Sequence, residues 1–101
     1  MTKNGVEIPT AAIEAFCRKW RIVELALFGS VLRSDFRPDS DIDVLVTFAP
    51  DAKWDLWDFV AAKDELDALL GRQVDLVEKR AVQNPIRRRI IHASQEVIYA
   101  V

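Results

Sequence analysis

Between Leu25 and Phe48 the chain reads LALFGSVLRSDFRPDSDIDVLVTF. A Gly29-Ser30 pair, ten further residues and Asp41-Ile42-Asp43 lie between two apolar runs. This layout demands two strands, a tight turn after the first, and paired carboxylates at the head of the second. Ile22 to Phe28, interrupted only by Glu24, predicts a strand that stops at Gly29. Glycine accepts the backbone angles of a sharp turn and lets an anion approach the main chain. Ser30 is expected to cap a short helix, whose free N–H groups favour anions. Asp41 to Phe48 predicts the second strand. Strand side chains alternate between faces, so Asp41 and Asp43 share one face while Ile42, Val44 and Val46 take the other.

Two neighbouring carboxylates repel unless a cation lies between them. Hard divalent cations such as Mg²⁺ take oxygen ligands of this kind, completed by substrate phosphates. A third carboxylate is available on the β-type run Gln73-Val74-Asp75-Leu76-Val77. If that strand pairs beside the second, Asp75 joins Asp41 and Asp43 on one face. Three carboxylates around two metal ions suit in-line phosphoryl chemistry.

Gly29-Ser30, the ten-residue spacer, Asp41-x-Asp43 and the later Asp75 resemble the nucleotidyltransferase superfamily that includes DNA polymerase beta. The short length is similar to its minimal members, the MNT-domain proteins. A lone DxD is weak; the joint pattern with flanking strands is specific, and Arg33, Asp35, Arg37, Pro38 and Ser40 fit the family's usual spacer. The resemblance implies a two-layer α/β fold with a small mixed sheet. It implies that Gly29 and Ser30 contact the triphosphate and that Asp41 and Asp43 bind two Mg²⁺ ions. Asp75 would bind the catalytic metal and help take the proton from the attacking hydroxyl. The implied reaction transfers AMP from ATP and releases pyrophosphate. The implied acceptor is a tyrosine hydroxyl on a HEPN-domain toxin, with this chain as antitoxin. An antitoxin that neutralises by binding alone, or transfer to a small molecule or RNA, are the alternatives.

Other features carry more than one reading. Arg33 pairs with a phosphate or with Asp35, and Ser40 is a nucleotide ligand or a turn residue. Trp54 and Trp57 are expected in the core, with covering a base or a partner as the alternative. Arg87-Arg88-Arg89 forms a solvated helix face or meets an acidic partner or phosphate. His92 is expected at the surface or half buried.

The length of 101 residues fits one domain over residues 1–101. No apolar run approaches transmembrane length, and the N-terminus lacks a signal-type segment. Cys17 is the only cysteine, which suggests a buried thiol and a reducing cytoplasm. Charge is uneven: residues 35–67 hold ten acids and three bases, residues 72–92 six bases and two acids. Net charge is −2 and no reader motif is present, which argues against sequence-specific nucleic-acid binding. Self-association stays open. Larger relatives carry an acceptor-binding domain that these residues have no room for, so a second protein is expected to supply the acceptor.

Helices are expected over Pro9–Trp20, Trp54–Leu70 with Gly71 as its stop, and Asn84 to about Ser94. On the second of these, Leu56, Phe59, Val60, Leu66, Leu69 and Leu70 are expected on one side, and Asp55, Asp58, Asp64 and Asp67 on the solvated face. A third strand is expected over Arg72–Glu78, and Glu96–Val101 reads as a strand or a tail.

Overall fold

The structure is a computed structural model describing residues 1–101. In chain order the elements are β1 (Thr2–Lys3), β2 (Val6–Glu7), α1 (Thr10–Lys19), β3 (Ile22–Phe28), β4 (Ile42–Phe48), α2 (Leu56–Leu70), β5 (Val74–Glu78), α3 (Pro85–Ser94) and β6 (Glu96–Ala100). Short 3₁₀ turns follow β3 and β5. The main sheet has the order β5-β4-β3-β6. β4 and β5 run parallel, while β3 runs antiparallel to both β4 and β6, so the sheet is mixed.

The apolar alternation decides which face is covered. Leu25 and Leu27 of β3, Ile42, Val44 and Val46 of β4, and Val74 and Leu76 of β5 pack on one face. Ile13, Phe16 and Cys17 of α1 and Ala62, Leu66 and Leu70 of α2 cover them. Cys17 is buried there, and burial pushes its thiol up to about 12. The opposite face carries a smaller cluster of Ala26, Phe28 and Leu45 under Val82 and Ile91 of α3. The fold is therefore mixed α/β, with one fully covered sheet face and one that α3 covers only in part.

Several boundaries depart from the sequence reading. α1 begins at Thr10, with Pro9 in the cap position. α2 begins at Leu56, because Asp55 and Asp58 form a reciprocal capping box that fixes the entry. Those two carboxylates stay at the solvated surface, as expected, and also hold the helix end. Gly71 ends α2 in the left-handed conformation, as expected. Asp67 leaves the solvated role: its Oδ1 accepts the Val74 N–H at 2.7 Å and its Oδ2 pairs with Lys63 at 2.7 Å. It latches the end of α2 to the start of β5. Leu56 (72% exposed) and Trp57 (79%) project into solvent, as does Val60. Trp57 is thus not core. Trp54 lies against Trp20 edge-on at 5.3 Å and donates from its indole to the Trp20 carbonyl at 2.7 Å.

The β1–β2 hairpin was not expected. Asn4 and Gly5 form its turn with φ of 45° and 86°. Asn-Gly is the preferred pair for such a turn, and that signal is present in the sequence. Asn4 Nδ2 then donates to the Val31 carbonyl at 2.6 Å, bracing the 3₁₀ turn that follows β3.

Candidate active site

Two strand registers place the acidic site. The parallel register of β4 and β5 sets Asp43 directly opposite Asp75. Paired strands lie about 4.8 Å apart, so the two carboxylates are neighbours on one face. That face is the one α3 covers in part, since Asp43 and Leu45 are two residues apart on β4 and share it. Asp41 lies just before β4, which begins at Ile42, and is exposed; Asp75 is exposed and Asp43 half-buried.

The antiparallel register of β3 and β4 brings Phe28, and so Gly29, to Asp43. Gly29 has φ of 72°, and a Cβ there would overlap the Asp43 carboxylate. Glycine is required for both reasons. Gly29–Leu32 forms a 3₁₀ turn in which Phe28 holds the cap position and no side chain caps it, so Ser30 does not serve as a cap. Ser30 instead gives a backbone hydrogen bond to the Asp43 carboxylate.

Burial raises the Asp43 carboxyl above its ordinary range, and the charges of Asp75 and then Asp41 raise it further. The Arg87 guanidinium and the Ser30 hydrogen bond oppose this shift. None of the three carboxylates forms an ion pair. An uncompensated cluster of oxygen donors is the donor set a hard divalent cation takes. Yet no three His, Cys, Asp or Glu side chains stand close enough to enclose an ion unaided. Asp41 and Asp75 are exposed beside half-buried Asp43, so the three carboxylates form an open acidic site. The carboxylates also line none of the cavities in the surface.

The spacer residues have separate roles. Arg33 forks onto Asp35, with Nε to Oδ1 at 3.1 Å and Nη2 to Oδ2 at 3.0 Å. Ser40 lies in a turn, its N–H donating to the Arg37 carbonyl at 3.1 Å. Arg72 donates to the carbonyls of Arg37 (3.0 Å) and Ser40 and stacks on the Phe36 ring at 4.8 Å. Arg72 thus ties down the loop that delivers Asp41. It was not singled out from sequence, where nothing marks one arginine as reaching back more than thirty residues. Arg87 was one of three arginines with an open role, and the fold sets its charge within reach of Asp43. His92 is exposed.

The family model for the nucleotidyltransferase domain matches residues 10–99, nearly the whole chain and all of the acidic site. The chain belongs to that family. It is 34% identical to the protein adenylyltransferase MntA of Thermococcus cleftensis, over 98% of this chain and 96% of that protein. A solved structure assigned as a minimal nucleotidyltransferase superposes with a TM-score of 0.70 at 33% identity, covering 86% of each chain. Two more distant structures share the fold. A toxin–antitoxin structure with AMP-PNP has a TM-score of 0.72 at 21% identity, covering 92% of this chain and 74% of that one. A Shewanella oneidensis complex of tri-AMPylated HEPN toxin with MNT antitoxin has 0.63 at 20%, covering 91% and 70%. The nucleotidyltransferase is of the minimal, MNT-domain type.

Proposed function

We propose that this nucleotidyltransferase transfers AMP from ATP to a hydroxyl, a tyrosine by preference, of a HEPN-domain toxin and thereby neutralises it. The observation that carries the reading is the Asp43–Asp75 register pair, with Gly29 packed against it and Asp41 beside it. The MntA relative's adenylyltransferase activity and the AMPylated toxin in a structure of the same fold support it.

Asp41, Asp43 and Asp75 would hold Mg²⁺, with two ions the expected number. When bound, the metal supplies charge stabilisation to the phosphoryl oxygens and favours deprotonation of the attacking hydroxyl. The Gly29–Leu32 turn brings main-chain N–H groups next to the carboxylates and orients the triphosphate. Asp75, exposed at the open side, takes the proton as the acceptor oxygen bonds to the α-phosphorus. The bond from the α-phosphorus to the bridging oxygen breaks, and pyrophosphate leaves with that oxygen. Arg87, already in the field of Asp43, offsets charge on the phosphates. Of the spacer residues, Arg33 reaches phosphate only by leaving Asp35, and Ser40 contributes through its turn.

Residues 1–101 would act as one domain in the cytoplasm. No helix is long and apolar enough to cross a membrane. The acceptor comes from outside, since the carboxylates open onto the surface rather than into a cavity.

One observation favours a second reading. Leu56, Trp57 and Val60 on α2 and Ile86 and Ile90 on α3 are exposed apolar side chains suited to a protein partner. Neutralisation by binding alone would use those surfaces and not the carboxylates. Co-expression of toxin with the Asp41→Asn/Asp43→Asn variant separates the two. Loss of neutralisation with the complex intact assigns it to chemistry. Neutralisation that survives assigns it to coverage.

A further inference from the structure

The other sizeable feature of the α3-side sheet face is a cavity of about 480 Å³ between α3 and the strands. Leu45, Val82 and Ile91 give it an apolar floor. Lys79, Arg80, Arg88 and His92 surround that floor. Lys79 is neutralised by Glu24 at 2.8 Å. Arg80, Arg88 and His92 pair with no carboxylate, although the chain as a whole is acidic. Glu24 and Val101, with its terminal carboxylate, also line the cavity, but neither pairs with Arg80, Arg88 or His92, and these three unpaired side chains around one concavity point to an anion from outside the chain. An apolar floor within a basic rim is the chemistry of a base or sugar with a phosphate, and the volume is in the range of about 300–1,000 Å³ typical of ligand sites.

The position relates the cavity to the acidic site. Leu45 stands two residues beyond Asp43 on β4 and Thr47, also in the lining, two further. At about 3.3 Å per residue and with alternating faces, the cavity runs from about 7 to 13 Å from Asp43 along the same face. It does not include Gly29, Asp41, Asp43 or Asp75.

We propose that this cavity is a second nucleotide site, in which Arg80, Arg88 and His92 hold the phosphate of a nucleoside monophosphate group over the apolar floor. The chemistry is the same whether that group is free nucleotide or a nucleotidyl group already joined to an acceptor. Its use alongside transfer rests on the function proposed above; its binding does not, so the two fail separately.

The test uses the purified chain in EDTA, with AMP and an O-adenylylated tyrosine peptide as probes in calorimetric titrations. Wild type and Asp41→Asn/Asp43→Asn are expected to bind alike. Arg88→Ala/His92→Ala is expected to lose about tenfold or more, the scale of a lost charge-assisted contact. Circular dichroism melts confirm that the variant folds, and Arg80→Ala, outside α3, gives an independent check on the same rim. Tighter binding of the peptide assigns the site to the transferred group, tighter AMP to free nucleotide, and equal binding to the phosphate they share. Absence of binding to wild type, or binding that survives in both rim variants, overturns the proposal.

Discussion

At the residue scale, the site is built on a repulsion. Asp43 sits half-buried against Asp75 and Asp41, so its carboxyl lies above the usual range. A raised carboxyl contributes stability while protonated, below its unfolded pKa. That contribution is lost as pH rises through the folded value, and at neutral pH ionised Asp43 is a cost. Asp43→Asn is therefore expected to raise Tm by about 2–5 °C in metal-free buffer, because the charge is removed and the packing kept. Mg²⁺ should raise Tm of wild type and not of the variant. AMP transfer should fall about 100-fold or more in the same variant, as expected on losing a principal electrostatic group. Thermal melts and an ATP-labelling assay read the opposite signs. Gly29→Ala meets both the positive φ and the Asp43 carboxylate. It should cost about 1–3 kcal/mol in denaturant unfolding and lower activity as well.

At the element scale, the carboxylates are aligned by latches rather than by the strands alone. Asp67 joins α2 to β5, and Arg72 holds the loop before β4. Asp67→Ala removes a half-buried partner of the Val74 N–H and is expected to cost about 1–3 kcal/mol in thermal or urea unfolding. The strands were legible because local signals agreed: β-type apolar runs, Gly29 at the end of β3 and Gly71 after α2. Asp43 and Asp75 could be set on strands from sequence, but only the parallel register places them opposite one another. Asp67 and Arg72 were hidden because their roles depend on contacts made after the helix and sheet have docked. Trp57, Leu56 and Val60 misled for the converse reason. Their spacing suits a core face, but α2 turns Phe59, Ala62, Leu66 and Leu70 to the core and leaves Leu56, Trp57 and Val60 exposed. The hairpin was signalled only by its Asn4-Gly5 turn pair, because its strands are two residues each, too short to show an alternating pattern.

At the scale of the whole molecule, the sheet has one sealed face and one working face. The sealed face takes α1 and α2 and most of the core. The working face exposes the carboxylates, the basic rim of the cavity and only a small apolar cluster. The exposed apolar residues of α2 lie outside both. Trp57→Ser is expected to change stability by no more than about 0.5 kcal/mol, since a solvated side chain is removed. If α2 contributes to the partner surface, the same variant weakens the complex in a titration while its melt stays unchanged. Mass spectrometry tests the central claim most directly, with the purified chain, ATP, Mg²⁺ and the HEPN-domain partner proposed above. Intact masses of both proteins are measured beside those from the Asp41→Asn/Asp43→Asn variant. The account predicts a gain of one or more AMP units on the partner with wild type and none with the variant. A partner of unchanged mass within a stable complex that still neutralises it would contradict the account.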